Sequence, residues 1–149
     1  MRWRKNWDKI DKRRISDAIK RLNNKRFIEL IEKGGNIHIK ITANGKNLLK
    51  RFDYDDLELL KVKKWDKKWR LVIFDIPEKK KKERNALSEK LKDLGLYHLQ
   101  ESVFVYPYDC QNEIDFICEF LFVSRYVNYC VVESIDKTEG DLRQFFKIL

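Results

Sequence analysis

The sequence predicts an α+β protein in which a partial winged helix-turn-helix precedes a ferredoxin-like βαββαβ domain. The formal net charge of +9 is unevenly divided: residues 1–70 carry 22 basic and 10 acidic side chains, whereas residues 71–149 carry 11 and 14. The basic part shows the pattern of a helix, a hairpin and a second helix, and the other part alternates strand and helix patterns. These observations predict a winged-helix segment at 1–60, a basic linker at 61–68 and a ferredoxin-like domain at 69–149.

The basic part begins with an amphipathic helix. Four apolar residues recur on one side of it at helical spacing: Ile15, Ala18, Ile19 and Leu22. Alternating segments on either side of Gly34 and Gly35 predict a β-hairpin, because glycine accepts the positive φ of a tight turn. A further helical stretch opens at residues 42–45 and runs through Leu49. This order is that of the second half of a winged helix.

The second part begins with a short, strongly apolar run at 69–75, which predicts a buried strand. The following helix should end at Gly95, which can adopt the left-handed conformation of a helix C-terminus. A second strand region is predicted over 96–106, a helix capped by Asp109 comes next, and a last strand is predicted over 126–135. Strand, helix, strand region, helix and strand together predict the ferredoxin-like fold.

Composition excludes several classes of protein. The longest mostly apolar run, 116–123, is far short of the roughly 20 residues that span a bilayer, so no membrane helix is expected. The basic N-terminus leads into no apolar segment, which argues against a secretory signal. Three cysteines without Cys-x-x-Cys spacing and two distant histidines argue against a disulfide framework or a zinc site. We therefore expect a cytoplasmic protein with reduced, mostly buried thiols and no cofactor.

One acidic residue, Asp75, invites a catalytic interpretation because it ends the first predicted strand just before a helix. A carboxylate there could hold Mg²⁺ together with Glu78, phosphate oxygens or a second copy of Asp75. Alternatively, Asp75 caps the helix, and spacing alone favours that role. The lysine run 79–82 and Arg84 follow directly. Lysines in a first helical turn oppose the helix dipole, so a phosphate backbone is a natural partner, although a solubilising turn fits equally well.

The basic part offers a set of candidate DNA contacts. On the first helix these are the polar and basic residues that would face a major groove or its flanking phosphates: Arg13, Arg14, Ser16, Asp17, Lys20, Arg21 and Asn24. On the hairpin they are the residues that a wing would place near phosphates: Lys33, Asn36, His38 and Lys40. Lys and Arg attract phosphates regardless of base sequence, so the expected partner is double-stranded DNA.

Several motifs in the second part occur together in a specific order. The segment 66–78, Asp-Lys-Lys-Trp-Arg-Leu-Val-Ile-Phe-Asp-Ile-Pro-Glu, is followed by Arg84, by Leu-Gly at 94–95 and by Leu-Gln-Glu-Ser-Val-Phe-Val-Tyr-Pro at 99–107. This arrangement resembles the central domain of PaaX-type transcriptional repressors, which is itself similar to the CRISPR-associated Cas2 family. The resemblance spans residues 65–149.

The resemblance implies a homodimeric ferredoxin-like domain attached to a DNA-binding winged helix. Upstream, Ile-Thr-Ala-Asn-Gly at 41–45 resembles the Leu-Thr-x-x-Gly step that ends the wing of PaaX-type winged helices. In Cas2 proteins the strand-ending aspartates of two subunits face each other and can hold a divalent metal for phosphodiester hydrolysis. The matching residue is Asp75, and the Arg and Ser of the motif match Arg84 and Ser102. PaaX-type regulators keep this aspartate without being known for nuclease activity.

Three functions follow as hypotheses. The first is a non-catalytic, DNA-binding PaaX-like regulator that dimerises through the Cas2-like domain. The second is a Cas2-type, Mg²⁺-dependent endonuclease or spacer-integration subunit that uses Asp75 and partners a CRISPR integrase. The third is a protein-interaction adaptor that binds through Phe116, Phe120 and Phe122. A PaaX-type winged helix has two helices ahead of its recognition helix, whereas only about ten residues, rich in charge, precede Asp11 here.

Overall fold

The structure is a computed structural model that describes residues 12–49, 52–60, 62 and 64–149. Backbone contacts divide the chain into two compact units, 1–51 and 52–149. The first unit contains α1 (Lys12–Asn24), β1 (Ile28–Lys33), β2 (Asn36–Ile41) and α2 (Ala43–Leu49). The second contains β3 (Trp69–Phe74), α3 (Lys81–Asp93), β4 (Tyr97–Gln100), β5 (Val103–Tyr106), α4 (Gln111–Phe120), β6 (Val127–Val132) and α5 (Glu139–Phe146). The beginning of the predicted winged-helix segment, residues 1–11, lies outside the described residues, as do Lys61 and Lys63 of the predicted linker.

The first unit is a helix, a tight hairpin and a second helix, in the predicted order. Gly34 and Gly35 have φ angles of 61° and 76°, and Lys33 pairs directly with Asn36 across the turn. Positive φ at both turn residues is the geometry of a type I′ hairpin, whose twist matches that of the two strands. The hairpin predicted from the two glycines is therefore confirmed.

Thr42 joins α2 to the chain just ahead of β1. Its backbone N–H donates to the Phe27 carbonyl at 3.1 Å, and its hydroxyl donates to the Arg26 carbonyl at 2.7 Å. The hydroxyl oxygen also accepts the Gly45 N–H at 3.1 Å, which is the hydrogen bond of a helix N-cap. Gly45 lies so close that an added Cβ would overlap the Phe27 carbonyl oxygen. The Thr-x-x-Gly spacing thus has a structural reason: the threonine caps the helix and the glycine lets two backbone segments approach.

The second unit is built on a four-stranded sheet of order β4-β5-β3-β6, in which all neighbouring strands are antiparallel. With α3 after β3 and α4 after β5, this is the ferredoxin-like βαββαβ topology that the sequence predicted. The core between this sheet and the two helices is formed by buried apolar residues, among them Val72, Phe104, Leu87, Leu91, Ile114 and Ile117. The predicted end of α3 is also confirmed, since Gly95 has a φ of 87°.

The sequence did not predict α5, which packs against the second face of the sheet. Leu142 of this helix is fully buried in a cluster with Trp69 and Val105. The ring centroids of Trp69 and Phe146 lie 6.2 Å apart. The helix has only eight residues, too few for its apolar spacing to be distinguished from an irregular segment.

The segment 52–60 belongs to the second unit, and the division of the chain falls earlier than the predicted linker at 61–68. Leu57 is only 4% exposed and belongs to the same core cluster as buried residues of α3 and α4. The Phe52 ring lies 5.0 Å from that of Phe116, and Tyr54 stacks on Phe120 with centroids 4.2 Å apart. The apolar and aromatic residues just before the lysine-rich segment 61–68 therefore pack on the second unit.

The composition predicts reduced, mostly buried thiols and no membrane helix. Cys110 and Cys118 are buried, Cys130 is half-buried, and all three are free thiols. Burial raises the pKa of Cys110 to about 12, so this thiol is protonated at neutral pH. No helix in the part of the chain that the structure describes has the length and apolarity to cross a membrane.

Candidate nucleic-acid interface

The outer face of α1 carries the predicted recognition residues. Six of the seven are exposed, namely Arg13, Arg14, Ser16, Asp17, Lys20 and Asn24, and the seventh, Arg21, is half-buried. The spacing of Arg13, Lys20 and Asn24 places them along one side of the helix. The apolar residues predicted for the inner face, such as Ile19 and Leu22, are half-buried on the opposite side. The helix therefore has the polar outer face that reading a DNA groove requires.

The four predicted wing residues share one face of the hairpin. The strand register pairs Lys33 with Asn36, Ile31 with His38, and Glu29 with Lys40. Residues directly opposite in antiparallel strands point to the same side, and every second residue of a strand does so too. Lys33, Asn36, His38 and Lys40 are all exposed there.

The other face of the hairpin is mostly apolar. It carries Ile28, Leu30, Ile37, Ile39 and Ile41 together with Glu32, and Ile37 remains 72% exposed. The alternation of isoleucines at 37, 39 and 41 is the signal in the sequence, whereas β1 does not alternate strictly. The pleat of the hairpin gives one mostly apolar face and one mostly polar face, and the polar face also holds Ile31 and Glu29.

The distribution of charge follows the two units more closely than the division at residue 70. Residues 1–51 carry 16 basic and 5 acidic side chains, a net charge of +11, whereas residues 52–149 carry 17 and 19. The segment 52–60 alone has four acidic side chains and no basic one. The unit with the helix and hairpin therefore carries the net positive charge of the molecule, which is the electrostatic requirement for binding a polyanion.

Asp75, Arg84 and Ser102 are brought to one end of the ferredoxin-like unit. The Phe74 N–H donates to the Ser102 carbonyl at 3.1 Å, which places Ser102 beside the end of β3. The Asp75 N–H donates to the Tyr126 carbonyl at 2.9 Å, just ahead of β6. Arg84 reaches the same end from α3, where its Nη1 donates to the Ile76 carbonyl at 3.3 Å.

The Asp75 side chain does not cap the following helix, so the role that spacing favoured is wrong. Within the described residues its exposed carboxylate makes no hydrogen bond or ion pair. A 3₁₀ turn at Glu78–Lys80 comes first, and α3 starts only at Lys81. The helical N–H groups consequently begin too far along the chain for a cap at Asp75.

Glu78, the other carboxylate near Asp75, is already paired. Its Oε2 lies 2.9 Å from Arg84 Nη2, and its Oε1 lies 3.6 Å from Lys81 Nζ. The Arg84 hydrogen bond holds the pKa of Glu78 below its usual range. Among the described residues, no cluster of three or more metal-binding side chains occurs. The side chains of one copy of this unit therefore do not fit a Mg²⁺ site, because Asp75 is a single carboxylate and its neighbours are engaged elsewhere.

An ion pair between the buried Arg70 and the exposed Asp66, which the sequence did not predict, lies at the start of the ferredoxin-like unit. Arg70 is 8% exposed, and its guanidinium donates to both carboxylate oxygens of Asp66, at 2.6 and 2.5 Å. It also donates to the Pro107 carbonyl at 2.8 Å, beyond the end of β5. The hydrogen bond from Arg70 lowers the pKa of Asp66. Asp66 lies inside the predicted linker at 61–68, where the sequence predicts no ion pair with Arg70, four residues later.

The three phenylalanines of the adaptor hypothesis have different environments. Phe116 is half-buried against Phe52, and Phe120 is stacked on Tyr54, so both hold the segment 52–60 on the unit. Phe122 is 72% exposed. The aromatic run therefore has mainly a structural role, with Phe122 as the exception.

The fold and these surfaces define a two-unit α+β protein, in which a basic helix-and-hairpin unit precedes a ferredoxin-like domain. A family model described as the PaaX protein central Cas2-like domain matches residues 62–143. The match covers more than half of the chain, which therefore belongs to the PaaX family through this central domain. It confirms the resemblance seen in the motifs at 66–78 and 99–107. A search of curated proteins finds no match.

Proposed function

We propose that the protein is a DNA-binding transcriptional regulator of the PaaX type. The observation that carries the proposal is the unit ahead of the family domain: it has a net charge of +11, an exposed polar face on α1 and a polar face on its hairpin. A helix that enters the major groove and a wing that contacts phosphates are a common way to hold duplex DNA. Arg13, Lys20 and Asn24 would face the groove, and Lys33 and Lys40 would lie near the backbone.

The regulator would act as a homodimer through the ferredoxin-like unit. The part of the second sheet face that lies next to the Asp75 end supports this. Ile73 pairs with Val103 on one side and with Asn128 on the other, and none of the three is buried. Two copies that met there would bring their Asp75 residues near a common axis. Dimerisation would also place two basic units on one DNA molecule, as repeated half-sites require.

We propose no nuclease activity for the regulator, and no cofactor is assigned to it. Hydrolysis of a phosphodiester by the Cas2 route needs a metal held between carboxylates. Glu78 is paired with Arg84, so in the proposed dimer that metal would depend on the two Asp75 carboxylates, which the following experiment tests. Arg84 and Ser102 are assigned structural roles at the same end of the sheet. No observation on this chain favours a CRISPR integrase as its partner.

A titration of duplex DNA with and without Mg²⁺ tests this function. We expect a shifted band on a native gel under both conditions, no cleavage, and the same result for Asp75→Ala. Arg84→Gln and Ser102→Ala should likewise leave the shift unchanged. Mg²⁺-dependent cleavage that disappears in Asp75→Ala would contradict the proposal and favour the nuclease. Absence of any shift at low salt would contradict DNA binding itself.

A further inference from the structure

Phe122 occupies a backbone position that favours glycine. Its φ is 55°, and the chain turns there at the end of α4. The Phe122 N–H donates to the Glu119 carbonyl at 3.1 Å, and the Val123 N–H donates to the Cys118 carbonyl at 2.9 Å. These two bonds form the same helix ending that Gly95 makes after α3. A residue with a Cβ costs about 1 kcal/mol in this conformation relative to glycine.

The phenylalanine gains little from burial in return, since its side chain is 72% exposed. A large apolar ring that is both exposed and conformationally unfavourable does not stabilise the unit. Non-glycine residues in strained conformations cluster at functional sites. The exposure and the unfavourable backbone conformation together indicate a binding role for the ring, in which a ligand covers its aromatic face.

Basic residues lie near Phe122. Lys80 Nζ donates to the backbone carbonyl of Phe122 at 3.1 Å, which places an ammonium group beside the main chain at this residue. Arg125, three residues further along the chain, is exposed and its guanidinium lies over the Tyr126 ring, 5.3 Å from the centroid. Lys79, next to Lys80, is also exposed. The nearest acid in the chain, Glu119, accepts a hydrogen bond from the Ser124 hydroxyl at 2.6 Å. A partner that combines flat aromatic groups with negative charge fits this surface.

We infer that Phe122 is a stacking platform for a base of single-stranded nucleic acid, whose phosphates lie on Lys79, Lys80 and Arg125. In an intact duplex the faces of the bases are covered by their neighbours, whereas a single strand offers them freely. Stacking on an aromatic side chain beside a basic groove is how proteins bind single strands with little sequence preference. The site consists of residues of the ferredoxin-like unit alone and shares no residue with the proposed duplex-binding surface of α1 and the hairpin. It would engage a strand exposed by local melting of the DNA.

The test measures binding of a fluorescent oligothymidylate of about 16 nucleotides to the full chain by anisotropy. Phe122→Gly should weaken this binding about 10-fold, the loss of one stacked base. The same substitution removes the backbone strain, so the melting temperature should stay the same or rise. A loss of binding therefore could not be attributed to unfolding. Duplex affinity should not change, which separates failure of this inference from failure of the proposed function.

Phe145→Ala is the matched control, because Phe145 on α5 is another exposed phenylalanine of the same unit, at 53%. It should leave oligothymidylate binding unchanged. Equal affinities of the wild type and Phe122→Gly would overturn the inference, as would an equal loss in Phe145→Ala. The inference would also be overturned if Phe122→Gly changed the self-association of the protein and left its oligonucleotide affinity unaltered. The ring would then bind a second copy of the chain.

Discussion

Replacing Gly45 by alanine should unfold the helix-and-hairpin unit while the ferredoxin-like unit remains folded. The added Cβ would overlap the Phe27 carbonyl oxygen and lie 2.9 Å from the Ile41 side chain. A backbone carbonyl has nowhere to move when Thr42 also holds it by a hydrogen bond of 3.1 Å. Overpacking typically costs about 1–3 kcal/mol, and an overlap with a fixed backbone atom lies at the upper end of that range. Native-state amide exchange should show loss of protection in β1 and β2 and no change in β3, together with loss of duplex binding.

Gly140→Ala is the control for this substitution. Gly140 is the second residue of α5, and no atom lies within 4 Å of a Cβ built on it. Alanine is favoured over glycine in a helix by about 1 kcal/mol, so this variant should be as stable as the wild type or slightly more stable. Full protection of β1 and β2 in Gly45→Ala would contradict the close approach of the two backbone segments.

Neutralising three lysines of the first unit should produce the largest loss of DNA affinity. Lys20 on α1 and Lys33 and Lys40 on the hairpin are exposed. If each contacts a phosphate, a variant with glutamine at all three positions releases about three fewer counterions on binding. The slope of log K against log salt should then become less steep by about 2.7, and the affinity at low salt should fall by about 100-fold. Anisotropy titrations at several salt concentrations measure both.

A control variant neutralises three exposed lysines of the ferredoxin-like unit, Lys92, Lys137 and Lys147. The total charge of the protein changes by the same amount, so non-specific attraction falls equally in both variants. The control should retain most of the affinity and of the salt slope. If both variants lost affinity to the same extent, the net charge of the whole protein, rather than the surface of the first unit, would account for binding.

The features predicted correctly from the sequence are those determined by a few neighbouring residues. Gly34 and Gly35 specify a turn in which both residues have positive φ, and Gly95 specifies a helix end, so each could be identified without the rest of the fold. The order of strands and helices in the second unit followed from similar local patterns. The polar face of α1 likewise follows from the helical period, so its residues could be predicted as a set.

The features that were missed or misjudged depend on distant contacts. Leu57 is buried in a cluster with residues of α3 and α4, which lie far along the chain. Helix α5 packs on Trp69 at the other face of the sheet. Asp75 was favoured as a cap because the 3₁₀ turn at 78–80 could not be distinguished from the start of the helix. The pairing of Glu78 with Arg84 depends on that same turn. The surroundings of Asp75 therefore became clear only from the structure.

Amide hydrogen exchange of the full chain, with and without duplex DNA, is the most direct test that the helix-and-hairpin unit binds DNA. We expect DNA to increase protection within residues 12–41, strongest in α1 and at the hairpin turn, and to leave the sheet of β3 to β6 unchanged apart from a dimer contact near Ile73. Protection confined to residues 69–149, with none on α1, would contradict the account.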